Sequence, residues 1–361
     1  MRALRAYDPG LDIVALRARF SALGLCELGS NENPLGPSPR ALEAVRAALP
    51  ELHRYPDPLG GQLRDAIART HGLRREQILL GDGSHELLMQ LAQAFAGPEA
   101  GVLASEFGFA VYGIAARAVG APYRAAPALP ADAAMPRGHD LDAIAGAIDA
   151  HTRLVYVCNP NNPTGTWFPM AALRAFLERV PPRVLVVVDE AYAEYVDDPA
   201  LPSALGLLAE FPNLVVTRTF SKAYGLAGLR VGYACAHPRL LGVLERLRES
   251  FNVGIPGLAG AEAALGDQAH VARVRAWNSL ERSWLAAQLS LRGLRVAPSQ
   301  TNFVLADFGR EAAPVEAALV ARGVVPRPMV GYGLPTCLRI TVGTRVDNAR
   351  LLLALDEATT A

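Results

Sequence analysis

Short, largely apolar runs recur along the first two thirds of the chain, at residues 78–80, 102–104, 154–158, 184–188, 214–217 and 231–235. Their length and flanking turn formers predict strands rather than buried helices. Helical periodicity fills the intervals, at residues 85–95, 111–119, 141–148 and 170–179. Strands apolar on both faces that alternate with helices predict an α/β fold, with a mostly parallel sheet sandwiched by helices. Only a short loop separates the runs at 214 and 231, so one antiparallel element is expected there. Ligands of such sheets sit beyond the carboxyl ends of the strands.

The flanks read differently. Residues 11–20 form one amphipathic segment, followed by a short apolar run at 25–28. Ser30-Asn31-Glu32-Asn33-Pro34-Leu35-Gly36-Pro37 is too polar for core and too punctuated for helix. Ser38 caps a helix with Pro39 at its first position. Past Tyr55-Pro56-Asp57-Pro58, a second amphipathic helix covers residues 61–70. After about residue 256 the pattern becomes a long, interrupted helical stretch at 258–291. It continues as strand 302–306, helix 314–322, strand 338–342 and a last helix after Arg345. Three units are expected: an N-terminal segment, 1–30, packing with the small domain; a large α/β domain, 31–255; and a smaller α+β domain, 256–361. A chain of 361 residues exceeds what one core usually supports, which agrees with two domains.

Composition removes several classes of function. The formal net charge is zero, so no basic surface points to nucleic acid. No apolar run approaches the ~20 residues that cross a bilayer. Arginines and Asp12 interrupt anything resembling a secretory leader. Cys26, Cys158, Cys235 and Cys337 are scattered without a C-x-x-C pair, which suits reduced core thiols in a cytoplasmic protein and no metal centre.

Candidate chemistry centres on Thr219-Phe220-Ser221-Lys222-Ala223-Tyr224-Gly225. Lys222 is the only lysine of the chain, among many arginines. A guanidinium does not lose its proton, whereas a lysine amine of lowered pKa can attack a carbonyl and form a Schiff base. Three further features fall at predicted strand ends. Gly81-Asp82-Gly83-Ser84-His85 leads into a helix N-terminus, as a plain turn or an anion site. Glu86 breaks a dinucleotide G-x-G-x-x-G, and Met89 breaks a zinc-binding H-E-x-x-H. Asn159-Pro160-Asn161-Asn162-Pro163-Thr164-Gly165 fixes an irregular loop that presents amides. Asp189 ends a buried apolar run, as a helix cap or as a carboxylate that needs a cationic or hydrogen-bonding partner; Glu190 and Tyr192 follow. Ser221 and Arg230 flank the lysine as a hydroxyl and a guanidinium able to grip a phosphate ester. An aldehyde for Lys222, a ring nitrogen for Asp189 and a phosphate for Ser221, Arg230 and the Ser84 turn together describe pyridoxal 5'-phosphate.

With these residues in view, the chain resembles the fold-type I pyridoxal-phosphate aminotransferases, and among them the histidinol-phosphate aminotransferases. The resemblance runs almost end to end. It rests on Ser30-Asn31-Glu32-Asn33-Pro34-Leu35-Gly36, Tyr55-Pro56, Asn161-Asn162-Pro163-Thr164-Gly165, Asp189-Glu190-Ala191-Tyr192, Ser221-Lys222, Gly228-Leu229-Arg230 and Leu338-Arg339-Ile340-Thr341-Val342-Gly343. It implies amino transfer between L-histidinol phosphate and 2-oxoglutarate or glutamate, in histidine biosynthesis. It implies that the large domain binds the cofactor. Lys222 then forms the internal aldimine and shuttles the 1,3-proton. Asp189 pairs with the pyridine nitrogen, and Asn162 and Tyr192 bond the ring oxygen. Ser84, Ser221 and Arg230 hold the phosphate, with Tyr55 reaching it from the other subunit of a homodimer with shared active sites. Arg327 and Arg339 take the anionic end of the substrate, and Tyr7, Asn33 and Tyr55 line its site. Three positions depart from the family pattern. Phe109 stands where a tyrosine often stacks on the ring, and its apolar ring still binds the cofactor by stacking; His85 stands where an acidic residue is common, and its backbone amide still binds the cofactor phosphate; Ala6 stands where proline usually precedes Tyr7. Rival readings are an aromatic amino-acid transaminase, a threonine-phosphate decarboxylase-like enzyme and a non-catalytic ligand sensor on the same scaffold.

Overall fold

The computed structural model describes residues 10–21 and 24–360. Among them, seven strands form the main sheet. Their order is Ile78–Asp82, Val231–Ala236, Leu214–Thr219, Leu185–Asp189, Thr152–Cys158, Gly101–Ser105 and Tyr123–Ala126. Val231–Ala236 runs antiparallel to both of its neighbours, as the short connection from 214 requires. The other adjacent pairs are parallel.

The strands are apolar on both faces because each face carries its own core. Val155, Val157, Val186, Val188 and Val216 pack on one side with Ile67, Phe176 and Leu177. The alternating residues Leu154, Tyr156, Leu185, Val187 and Val215 pack on the other with Leu87, Leu91 and Tyr112. The period-two alternation of a strand sends successive side chains to opposite cores.

Two details differ from the sequence expectation. Tyr123–Ala126 is a strand that the hydrophobic pattern does not reveal; it lies at the sheet edge with Arg124 and Ala125 exposed, so only part of it is selected for burial. Asp189 is the last residue of its strand rather than the first beyond it, in register with Cys158 and Thr217.

The long helical stretch breaks at Gly266 and Asp267 into Ile255–Leu265 and Gln268–Leu291, where the Asp267 carboxylate caps the second helix at His270. The compositional change near residue 256 falls inside the first of these helices. Its Ala261, Ala264 and Leu265 belong to the large-sheet core, as does Val271. A four-stranded antiparallel sheet follows, in the order Arg327–Pro328, Cys337–Thr341, Phe303–Asp307 and Arg295–Val296. Cys26–Glu27 pairs in parallel with Val324–Val325. Cys26 and Leu28 share a core with Leu285, Leu338, Ile340 and Leu351. Residues near both ends of the chain are thus brought over the carboxyl edge of the main sheet. Among the described residues no helix is long and apolar enough to cross a membrane.

Candidate active site

A cavity of about 340 Å³ opens beyond the carboxyl ends of the parallel strands. At one end it reaches the turn after Ile78–Asp82, where Gly83, at φ +70°, starts the helix Gly83–Phe95. A Cβ on Gly83 would lie 2.4 Å from Nη2 of Arg230, so glycine lets the guanidinium rest against the helix N-terminus. Arg230 Nη1 donates to Ser221 Oγ at 3.2 Å and to the Ala227 carbonyl at 3.1 Å. Ser84, His85, Ser221 and Arg230 all line the cavity. Helix N–H groups, hydroxyls and a guanidinium together make a cradle for a multiply charged anion.

Deep in the cavity, Asp189 is 3% exposed. Tyr112 Oη donates to its Oδ2 at 3.1 Å, and the Thr217 hydroxyl donates to Oδ1 at 3.3 Å. Burial pushes this carboxyl up to about 6, while the two hydroxyl donors pull the other way. A cation placed against it restores the charged form. Tyr112 is held by stacking on Tyr156, with centroids 4.6 Å apart, and meets the edge of Phe109 at 5.9 Å. Phe109 lines the cavity and offers a flat apolar face.

Lys222 follows the strand Leu214–Thr219. Its Nζ donates to the Ser30 carbonyl at 3.2 Å and lies 6.0 Å from the Tyr192 ring centroid. Burial first, then the Arg339 and Arg230 charges, push the amine down to about 8. The turn after it packs against the loop at Gly36; a Cβ on Gly225, at φ +71°, would lie 2.5 Å from the Gly36 carbonyl carbon. Asn33 closes that contact. Its Nδ2 donates to the Ala223 carbonyl at 3.0 Å, and its Oδ1 accepts from Leu35 N. Asn33 does not line the cavity: its amide is engaged in locking the loop to the lysine turn.

The residue that faces inward from that loop is Asn31, which sequence reasoning does not single out. Asn31, at φ +56°, donates from Nδ2 to Tyr192 Oη at 2.9 Å and from its backbone to Thr341 Oγ1 at 3.0 Å. Nothing local distinguishes Asn31 from Asn33; only the loop's path does. Tyr112 and Thr217 escape for a related reason: within an apolar helix and a core strand they read as packing.

Arg339 and Arg327 line the cavity with Asn162 and Tyr192. Arg339 Nη1 donates to Asn162 Oδ1 at 2.7 Å, and Nη2 donates to the Gly29 carbonyl at 2.6 Å. Arg327 also borders an adjoining cavity of about 200 Å³, with Gly10 and Glu316. A Cβ on Gly10, at φ +95°, would lie 2.2 Å from Arg327 Nη1. Tyr55 lies away from the cavity, 81% exposed and stacked on Phe251 with centroids 4.6 Å apart. Tyr7 falls outside the described residues.

Behind the floor, Arg218 donates from Nε and Nη2 to Glu190 and from Nη1 to Glu194. The Ser203 hydroxyl also bonds Glu190. This buried network braces the segment that carries Asp189 and Tyr192, and it accounts for Glu190 without a role in the cavity.

The donor set fits pyridoxal phosphate. An amine of depressed pKa stands for the aldehyde, a buried carboxylate that gains from a cation stands for the ring nitrogen, and a helix-terminal cradle stands for the phosphate. Comparison with known proteins agrees. The family model for aminotransferase class I and II matches residues 24–355. A histidinol-phosphate aminotransferase of Pseudomonas aeruginosa is 47% identical over 357 residues, covering 98% of this chain and 95% of that protein. One from Pseudomonas fluorescens is 46% identical over 357 residues, with 98% and 95% covered. Among solved structures, the Sinorhizobium meliloti histidinol-phosphate aminotransferase in complex with pyridoxal-5'-phosphate superposes with a TM-score of 0.90. It is 31% identical, covering 100% of this chain and 98% of that one.

Proposed function

The chain belongs to the class I and II aminotransferases, and on that premise we propose that it exchanges an amino group between L-histidinol phosphate and 2-oxoglutarate, with pyridoxal 5'-phosphate as cofactor. The observation that carries this reading is the convergence of amine, carboxylate and anion cradle on one cavity, in a chain this similar to histidinol-phosphate aminotransferases.

Bound there, pyridoxal phosphate supplies an aldehyde that takes the amino group and a ring that accepts electrons. The chain's own groups do the rest. Asp189, steadied by Tyr112 and Thr217, would keep the ring nitrogen protonated. Ser84, Ser221 and Arg230 would hold the phosphate, Asn162 and Tyr192 would bond the ring oxygen, and Phe109 would offer the ring an apolar face. Lys222 Nζ, an amine that burial lowers to about 8, would take up the proton released at the amino-bearing carbon of the substrate and pass it across to the cofactor, the 1,3-proton shuttle. Arg327 and Arg339 hold the anionic end, a phosphate in one substrate and a carboxylate in the other.

We also infer a homodimer in which Tyr55 reaches the phosphate of the second copy. Its exposure supports this, together with exposed Leu49, Leu52 and Leu59 on the same stretch of chain. A cytoplasmic setting is supported by four free, buried cysteines.

Steady-state rates with histidinol phosphate and with phenylalanine, each against 2-oxoglutarate, test the substrate. The expected kcat/KM for histidinol phosphate is roughly 10-fold higher or more, because a phosphate dianion offers the two arginines that line the cavity more charge and more acceptor oxygens than the carboxylate that phenylalanine brings. A preference for phenylalanine overturns the substrate assignment.

A further inference from the structure

The phosphate end of the cavity carries one group without a part in the chemistry above, the His85 imidazole. It sits half-buried in the first turn of Gly83–Phe95 and lines the cavity with Ser84, Ser221 and Arg230. Charged neighbours come from three other elements: Asp82 at the end of its strand, Arg230 entering Val231–Ala236, and Lys222 beyond Leu214–Thr219. Other ionisable groups on these and adjoining elements make bonds of their own. Glu86 accepts from Asp82 N and from Asn252 Nδ2, Tyr112 donates to Asp189, and Arg218 holds Glu190 and Glu194. Burial first, and Arg230 second, hold the imidazole below its usual value, against an opposite pull from Asp82.

A phosphate dianion in the cradle reverses that balance. It sets negative charge beside the imidazole and offsets the guanidinium field that disfavoured a second cation. The ring then gains from protonation and offers N–H donors to phosphate oxygen.

We propose that His85 is a side-chain ligand of the cofactor phosphate and binds it as imidazolium, so that cofactor capture takes up one proton. The proton comes from solvent and ends on the ring; no covalent bond changes at His85. The proposal rests on the pyridoxal-phosphate reading. Its sign follows from linkage. The imidazole's pKa is higher in the complex than in the free protein. The added affinity is complete below the free-protein pKa and is lost as pH rises through the pKa of the complex. Between the two, this proton contributes about a tenfold rise in Kd per pH unit.

The phosphate's own ionisation and Lys222 titrate in the same region, so the test is a difference. Apoprotein of the wild type, His85→Asn and His85→Gln is titrated calorimetrically with pyridoxal 5'-phosphate and with pyridoxal. The buffers differ in ionisation enthalpy, and visible absorbance is recorded in parallel. With pyridoxal 5'-phosphate, the wild type is expected to take up close to one proton more than either variant, and its Kd to climb faster with pH. With pyridoxal, which lacks the phosphate, the three proteins are expected to agree. Equal proton counts and equal pH slopes in three proteins that all bind the coloured cofactor overturn the His85 proposal and leave the cofactor reading intact. A wild type that binds no cofactor overturns both.

Discussion

The cavity has two halves built on different principles. Its floor is made at the carboxyl ends of adjacent strands: Asp189 ends one strand, Cys158 the next, and Lys222 and Ser84 lie within a few residues of two others. Its wall is a seam between distant parts of the chain. Asn31 bonds Thr341 across 310 positions, and Arg339 holds the Gly29 carbonyl across the same interval. The floor inherits the rigidity of a sheet buried on both faces. The wall depends on two chain segments meeting correctly. The groups proposed to make and break bonds thus sit where geometry is most strongly determined, and those proposed to choose the substrate sit where geometry is more easily altered.

The sharpest way to break this contrast is at the floor. Lys222→Ala removes the nitrogen proposed to attack the aldehyde and to carry the proton. Turnover is expected to fall by more than about 10³-fold, with loss of the lysine-linked visible absorbance on adding cofactor. Survival of turnover in stopped-flow or coupled assays would end the division of labour. Asp189→Asn keeps the shape and loses the charge. A drop of roughly 10²–10³-fold in kcat is expected, with weaker cofactor retention on dialysis.

The wall should respond differently. Gly10→Ala forces a Cβ into the space of Arg327 Nη1 and onto a backbone angle that L-residues avoid. KM for histidinol phosphate is expected to rise about tenfold, one lost charge-assisted contact, while kcat and cofactor absorbance stay close to wild type. A fall in kcat with unchanged KM would show that the seam also governs the chemistry.

The smallest effect is on apoprotein stability. The Asp189 carboxyl is raised from 3.8 to about 6 by burial, so between those values the folded state holds more protons than the unfolded one. Its contribution is complete below about pH 4 and declines as pH rises through 6. The melting temperature of the apo wild type, relative to Asp189→Asn, is expected to fall across that interval. Saturating pyridoxal phosphate should reduce the difference, because a ring cation then meets the carboxylate.

Most of the floor is legible in the order of residues. Runs apolar on both faces announce strands, and the residues that interrupt them, Asp189 and the Ser84 turn, mark the strand ends where ligands bind. Lys222 stands out by being alone among arginines. Tyr112 and Thr217 are not legible, because a buried hydroxyl that bonds a carboxylate has the same local surroundings as one that merely packs. Asn33 and Asn31 are exchanged for the same reason, two amides in one loop with opposite directions. The edge strand Tyr123–Ala126 escapes because half of it faces water.

Local order along the chain therefore settled which groups could do chemistry and on which elements they ride. Alternation and turn formers act over a few residues, within reach of the residues' own sterics and solvation. Which side chains meet around the cavity was decided only when segments hundreds of residues apart closed on one another. So was the depression of the Lys222 amine to about 8, which reflects its burial and the approach of Arg339 and Arg230. Burial and Coulomb energy depend on distance in space, and no short stretch of sequence contains that distance.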